Sequence, residues 1–563
     1  MNKLNFDNTL VKELPLDQTN DNRPRIVRNA IYSTVKPTPV LNPKIVSLSK
    51  SALVLIGIDE KAVSESDFVE YISGNKLIPG SIPISHCYCG HQFFRYAGQL
   101  GDGRAITLGE IFNKGKRWEL QLKGAGRTPF SRNADGRAVL RSSIREFLCS
   151  ESMYFLRIST TRCISVITSD TKVVRDKLYD GNSKEEPCSI ILRLAPCFIR
   201  FGSFEITKIR SNTGSQGPSP GQHHLLINLL DYLLKYHFVD INNQYTDQNA
   251  KYVALFTEVV NRTAQMVSQW QTVGFCHGVL NSDNMHIMGL TMDYGPYAFM
   301  EAFDPEFTSN HSDKEKRYSY ENQPKVCYWN LSKLAEALQP IIPAEQLETA
   351  LKNYWQTFYS NYYSIMRQKL GIIASDSDGD TKLFASLFET MKSTGADFTN
   401  TFRLLAQVDP LTTEHDSLHA ILKYCTNVND NTTNINNSLN QLLKRPDNTA
   451  TTTSIKETNC VIWKKWLDEY RQRLKLDAAQ YPNGINSWLK LRYQIMNRTN
   501  PRFVLRNWMA QESIDAAENG DYTVVQNLFK LLQDPYGRYD NDLNNTRYIN
   551  PQSSKKLQIS CSS

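Results

Sequence analysis

His277-Gly-Val-Leu-Asn-Ser-Asp-Asn284, followed by Asp293-Tyr-Gly295, is the stretch that decides how this chain is read. It gathers an imidazole, amide oxygens and two carboxylates into one short run. Amide and carboxylate oxygens are hard donors. Mg²⁺ takes one or two such ligands from protein and completes its octahedron with phosphate oxygens and water. A capping Asn and a turn Asp are the plainer alternative.

Spacing favours the metal reading. Protein kinases carry a loop H-x-D-x-x-x-x-N, in which the third residue is the base and the eighth binds metal, and a D-x-G downstream supplies a second ligand. His277 and Asn284 keep that spacing, and Asp293 opens a D-Y-G. The third position is Val279, which cannot accept a proton. The chain thus keeps the means to bind metal and nucleotide and lacks the ordinary phosphorylation base. Asp283, beside Asn284, is the only carboxylate in the loop placed to replace it; an Asx turn is the alternative.

Working outward, Gly98-Gln-Leu-Gly-Asp-Gly-Arg104 precedes a strand pattern. Glycines let backbone N–H groups approach phosphates, and Arg104 adds a fixed positive charge. Alone, a Gly-rich run is more often a plain turn. Here a second strand follows and ends in Gln121-Leu-Lys-Gly124, making Lys123 the natural phosphate-contacting lysine. Arg141 to Phe155 reads as a helix with Ile144, Phe147 and Leu148 on one face. Glu146 on that helix is the expected partner of Lys123, since a kinase fixes its ammonium with a helix glutamate. Arg193 and Arg200 read, on the residues alone, as surface or ion-paired arginines. Arg127, Arg132, Arg137, Arg141 and Arg145 are equally ambiguous. His86-Cys-Tyr-Cys-Gly-His91 has its cysteines too close together for a structural zinc site and lacks a distant second pair.

The whole chain bounds these readings. Its 563 residues suit a two-lobed enzyme with additions, and 40% apolar residues suffice for a sizeable core. The net charge of +7, from 64 basic and 57 acidic residues, is too small and dispersed to indicate nucleic acid. No apolar run has the length of a membrane span, and eleven scattered cysteines suit a reducing compartment. The order strand, strand, helix, strand, then helices, predicts an α+β chain with a protein-kinase-like, two-lobed fold: a β-rich small lobe and a helical large lobe. The expected boundaries are an N-terminal wrap over 1–75, the small lobe over 76–215, the large lobe over 216–410 and a C-terminal helical extension over 411–563. Helical patterns fall at Leu225–Leu234, Lys251–Trp270, 345–370, 383–406, 461–475 and 505–532. The Asn/Thr-rich run at about 426–459 reads largely as a disordered insertion.

Taken together, Gly98–Glu110, Gln121-Leu-Lys-Gly-Ala-Gly-Arg-Thr-Pro-Phe-Ser-Arg132, Asp135–Leu148, Arg200-Phe-Gly-Ser-Phe-Glu205 and His277–Pro296 resemble the selenoprotein O family over nearly the full length. So do the opening Phe6-Asp-Asn-Thr-Leu10 and the closing Ser-Cys-Ser-Ser. The resemblance implies a kinase-like fold that binds ATP reversed and transfers AMP, not phosphate, to Ser, Thr or Tyr hydroxyls of proteins, releasing pyrophosphate. It places Arg193 and Arg200 at the buried phosphates. It assigns Gly101, Gly103, Arg104, Lys123, Asp135, Gly136 and Asp293 to the nucleotide, Asn284 and Asp293 to Mg²⁺ or Mn²⁺, and Asp283 to the proton acceptor.

A kinase transferring the γ-phosphate and a nucleotide-binding scaffold without turnover are the alternative functions. A monomer acting on protein substrates is expected. The family resemblance implies a mitochondrial location; the early acids Asp7, Glu13 and Asp17 and the lack of a transit-peptide pattern make the cytoplasm the alternative. Three departures stand out. Phe94 occupies a position where family members often have Gly. Cys561 occupies the place of a selenocysteine in many eukaryotic members. Ser309, in Ser309-Asn-His-Ser-Asp313, occupies the place of the cysteine that bacterial relatives pair with the tail, so a redox latch through that pair is not expected.

Overall fold

The computed structural model describes residues 4–65, 67–177, 180–209, 214–412, 416–426, 455–537, 547–552 and 559–560. Most of the Asn/Thr-rich run, and Cys561, lie outside the described residues. The class is mixed α+β, with the strands gathered in the N-terminal part and the helices following.

The sheet is built from β1 (Leu16–Asp17), β2 (Tyr32–Thr34), β3 (Lys44–Leu48), β4 (Ile84–His86), β5 (Ala105–Asn113), β6 (Lys116–Lys123), β7 (Ala138–Val139), β8 (Arg162–Asp176) and β9 (Ser183–Ala195). Among the described residues these nine strands form one sheet in the order β1-β2-β4-β5-β6-β9-β8-β3, with β7 paired to β9. β1 runs parallel to β2 and the other pairs are antiparallel. The N-terminal residues therefore supply both edges, β1 and β2 on one side and β3 on the other. The β5–β6 hairpin turns through Lys114 and Gly115, at φ 48° and 76°. Positive φ at both central residues suits the right-handed twist of the flanking strands. Alternation is weak along β5 and β6 because much of each strand is buried on both faces.

α1 (Leu140–Phe155) crosses behind the sheet and is buried nearly all round, including its charged residues Arg141, Arg145, Glu146 and Glu151. α2 (His224–Tyr236) buries Leu225, Leu226, Leu229, Leu230, Leu233 and Leu234, the spacing of one helical face. α3 (Gln248–Val273) starts at Asp247, whose Oδ2 accepts the Ala250 N–H at 2.8 Å, and stops at Gly274 with φ 71°. α4 (Gln323–Leu338) and α5 (Ala344–Leu370) pack against it.

The helix expected over 383–406 is two: α6 (Ser377–Thr394) and α7 (Phe398–Leu405). Gly395 at φ 61° ends the first, and Asp397 Oδ1 caps the second by accepting the Asn400 N–H at 2.8 Å. After α8 (Asp416–Leu422), α9 (Ile455–Ala479) and α10 (Ile485–Thr499), the helix expected over 505–532 likewise splits into α11 (Asn507–Glu518) and α12 (Thr523–Leu532), around Gly520 at φ 86°. In both cases the apolar period continues across a break that a single glycine imposes.

Apolar burial divides into three main bodies. One lies between the sheet's inner face, α1 and the helices α2 to α5, and takes in α11 and α12. A second covers the opposite face of the sheet with N-terminal segments. A third joins α6 to α10 around Trp463, Trp466 and Trp488, each no more than 2% exposed.

Candidate functional site

Lys123 closes β6 in the middle of the sheet, with Ala105 of β5 and Ile191 of β9 as its register partners. Glu146 faces it from α1. Lys123 Nζ lies 2.6 Å from Glu146 Oε2 and 3.2 Å from Asp293 Oδ1. Two residues along β9 from Ile191, Arg193 sits opposite Gln121 and hydrogen-bonds its Oε1. Arg193 Nη1 reaches Glu146 Oε1 at 3.0 Å and Asp293 Oδ1 at 2.6 Å. Arg200, just past β9, donates to Asp293 Oδ2, and its Nη2 lies 3.5 Å from Asp102 Oδ1.

Three cations thus converge on Asp293. Arg193 is 1% exposed and Arg200 2%. Burial alone would raise the Asp293 pKa, but Arg200, Lys123 and Arg193 hold it well below the usual carboxylate range. Asp293 reaches this place from a backbone at φ 55°. His277 anchors the segment: its Nε2 lies 2.9 Å from the Met292 carbonyl, and burial lowers its pKa. Its role here is structural.

These side chains form the floor of a cleft of about 700 Å³. Gly101, Gly103, Arg104, Asp135, Gly136 and Asn284 line it as well, as does Val279, the third residue of the His277 loop. The glycines serve the fold in ways their sequence does not announce. A Cβ on Gly101 would sit 2.3 Å from the Phe130 ring, and one on Gly136 would sit 2.2 Å from the Gly126 carbonyl carbon. The side chain of Arg104 is exposed and has no hydrogen-bond or ion-pair partner among the described residues. Asp135 is engaged: its carboxylate binds Arg175 through both oxygens at 2.7 and 2.8 Å.

Asp283 stands apart from the other expected site residues, outside the lining of the cleft. Its Oδ2 lies 3.3 Å from Gln92 Nε2, and its Oδ1 is buried without a partner against Gly90. Burial pushes its pKa up to about 7, against the opposing charge of Arg200. That places it where a carboxylate can exchange protons near neutrality.

Asn284 donates Nδ2–H to the Val279 carbonyl at 2.9 Å, leaving its Oδ1 without a protein partner among the described residues. That oxygen and the Asp293 carboxylate are hard donors on one cleft. They fit a Mg²⁺-type ion whose other ligands come from phosphate and water. They do not form a protein-only cage, and no cluster of three or more His, Cys, Asp or Glu among the described residues could serve as one. His86 stacks on Tyr32 at 4.6 Å, and His91 Nδ1 pairs with Glu205 at 2.8 Å.

Three participants were not foreseen from the sequence: Asp102, Gln121 and Arg175. Asp102 is the aspartate within the glycine run. Gln121 lies two residues before Lys123 on β6, on the same strand face, which was the available signal. The ambiguous arginines separate by burial. Arg127 and Arg132 are exposed at the cleft. Arg137 donates to the Thr38 and Pro39 carbonyls, Arg141 pairs with Glu186, and Arg145 donates to the Tyr297 carbonyl. Ser309 Oγ lies 3.6 Å from Cys276 Sγ.

The family profile described as Protein adenylyltransferase SelO matches residues 19–533. The chain belongs to the SelO family. Among its relatives, the zebrafish (Danio rerio) Protein adenylyltransferase SelO-1, mitochondrial, is 44% identical, covering 95% of this chain and 85% of the relative. The human Protein adenylyltransferase SelO, mitochondrial, is 42% identical, covering 95% and 87%. The Nitrosospira multiformis Protein nucleotidyltransferase YdiU is 40% identical, covering 94% and 91%. This SelO-family chain is therefore similar to transferases of nucleotidyl groups along almost its whole length. No helix among its described residues is long and apolar enough to cross a membrane.

Proposed function

We propose that this chain is a protein adenylyltransferase with a kinase-like, two-lobed arrangement, which moves AMP from ATP to Ser, Thr or Tyr hydroxyls of proteins. The observation that carries this reading is the buried trio Lys123, Arg193 and Arg200 around Asp293. A floor this rich in cations suits the more highly charged β- and γ-phosphates pointing inward, which leaves the α-phosphorus toward the acceptor. Arginine forks match phosphate oxygens through paired N–H groups. Arg104, without a hydrogen-bond or ion-pair partner among the described residues, suits the outer part of the nucleotide.

In the reaction the acceptor oxygen bonds to the α-phosphorus and the bond from that phosphorus to the bridging oxygen of pyrophosphate breaks. The hydroxyl proton passes to the Asp283 carboxylate, whose pKa near 7 makes it a better base than an ordinary carboxylate. Lys123, Arg193 and Arg200 hold the departing pyrophosphate and offset its charge. Asn284 and Asp293 would hold Mg²⁺ or Mn²⁺, which when bound spreads the negative charge of the phosphates. Lys123 and Glu146 keep each other oriented. We extend the reading to a monomer, and to the mitochondrion, the location carried in the names of the zebrafish and human relatives, with the cytoplasm as alternative.

ATP labelled at either the α- or the γ-position distinguishes the functions. Label retained on protein from the α-position alone is the expected result. Retention from the γ-position would indicate a kinase, and retention from neither a scaffold.

A further inference from the structure

The short hairpin His91–Gln92 with Arg95–Tyr96 stands beside Asp283, to which Gln92 is tied. Its two turn residues are Phe93 and Phe94, at φ 48° and 67°. A two-residue turn with positive φ at both positions strongly favours Asn and Gly, because a bulky side chain is crowded there. Both phenyl groups are also exposed, at 38% and 37%. The fold thus tolerates an unfavourable backbone and exposed apolar surface at the same two residues.

The turn is held in place. The Phe93 N–H donates to the Tyr318 hydroxyl at 3.0 Å, and that hydroxyl donates to Asn281 Oδ1 at 2.7 Å, fixing the turn to the loop that carries Asp283. Trp329 backs Phe94 at 4.3 Å between ring centroids, and the Arg317 guanidinium lies 4.1 Å from the same ring. Two arginines stand beside the turn, and of the nearby carboxylates Asp283 and Asp313 are buried. Arg95 is exposed with no side-chain partner among the described residues; Arg317 donates to the Phe93 carbonyl at 3.3 Å, and its ion pair among them is with Glu315, itself 80% exposed.

We propose that Phe93 and Phe94 form the surface that selects the acceptor protein, taking an apolar side chain close to the hydroxyl to be modified, with an acidic residue beside it. The proposal rests on the adenylyltransferase reading. Position supports it: the aromatic pair follows directly on Gln92, which contacts Asp283, and neither ring lines the cleft. The cations Arg95 and Arg317 supply the matching charge.

The test uses the full chain, ATP labelled at the α-position, and four synthetic peptides. Each peptide contains one serine, flanked by Phe or Gly on one side and by Asp or Lys on the other. The Phe/Asp peptide is expected to be modified with kcat/KM ~10-fold above the Gly/Lys peptide, the scale of one apolar contact. In Phe94→Gly, whose backbone suits glycine, that preference should shrink to ~2-fold while ATP affinity by calorimetry is retained. Arg95→Glu should reverse the choice between Asp and Lys. Equal rates for all peptides, or a preference that survives Phe94→Gly, would overturn the platform alone. No label on any peptide or on the enzyme itself would overturn the adenylyltransferase reading and the platform with it.

Discussion

Arg200 Nη1 donates to the backbone carbonyl of Asp283 across 2.8 Å. The same guanidinium meets Asp293 Oδ2 and approaches Asp102 Oδ1. One buried side chain therefore couples the main chain of the proposed base, the proposed metal ligand and the glycine run at the cleft. Asp283 does not line the cleft, and this coupling joins it to the cationic floor alongside its chain neighbour Asn284.

Arg200→Ala should unfold more easily and lose transfer. Removing the cation leaves Asp293 with less compensation and Asp102 without its ion pair to Arg200, a change that costs about 3–5 kcal/mol for a buried pair. Transfer should fall ~100-fold or more, the scale of losing one preorganised group at developing charge. Arg200→Lys should recover more stability than transfer, because it restores charge without the fork. Melting curves and α-label transfer measure the two effects separately.

Asp293→Asn separates the floor's charge from its ligand. Lys123, Arg193 and Arg200 would face one another with Glu146 and Asp102 as remaining counter-charges, so the free protein should melt lower. ATP should then raise the melting temperature by more than it does in the unaltered protein, since a polyanion replaces the missing charge. Transfer should be lost. An ATP-induced shift smaller than that of the unaltered protein would count against the trio as the phosphate site.

The pH profile should report Asp283. Its folded pKa, about 7, lies above the ~4 of an unfolded carboxyl. Its contribution to stability is complete below ~4 and is lost as pH rises through about 7. Activity runs the opposite way, because only the ionised carboxylate accepts a proton, so kcat should climb with pH through the same region. Asp283→Asn should remove both the activity limb and its share of the stability decline. A rate that stays flat between pH 5 and 8 in the unaltered enzyme would exclude Asp283 as the base.

Local pattern carried much of this arrangement. The leucine spacing in α2, the turn at Lys114–Gly115 and the Lys123…Glu146 spacing all have short-range causes that a single sequence displays. What it concealed are relations across distance. Gln121 and Arg193 meet because β6 and β9 pair, although β7, α1 and β8 intervene. Asp102 carries no local signal, because its partner Arg200 is distant in sequence. The packing of Gly101 against Phe130 and of Gly136 against the Gly126 backbone has no sign in the local sequence. The splits at Gly395 and Gly520 were missed because hydrophobic periodicity records which face is buried and carries no sign of a break in the axis.

The C-terminal helices brace the site from behind. α11 and α12 pack on α1, with Phe529 and Phe147 at 4.9 Å in edge-to-face contact, and Gln526 donates to the Val46 carbonyl of β3 at 3.0 Å. α1 carries Glu146, so loosening its support should let the Lys123 and Arg193 partners drift. Phe529→Ala should cost about 3 kcal/mol, as for other buried phenyl truncations, and should also weaken ATP binding several-fold. Trp463→Ala supplies the contrast: it opens a cavity in the core of α6 to α10, a separate apolar body. It should destabilise at least as much while leaving the ATP dissociation constant unchanged, since distant sites act independently. Equal effects of the two variants on ATP affinity would mean that the brace acts only through global stability, and that α1 is held by the sheet alone.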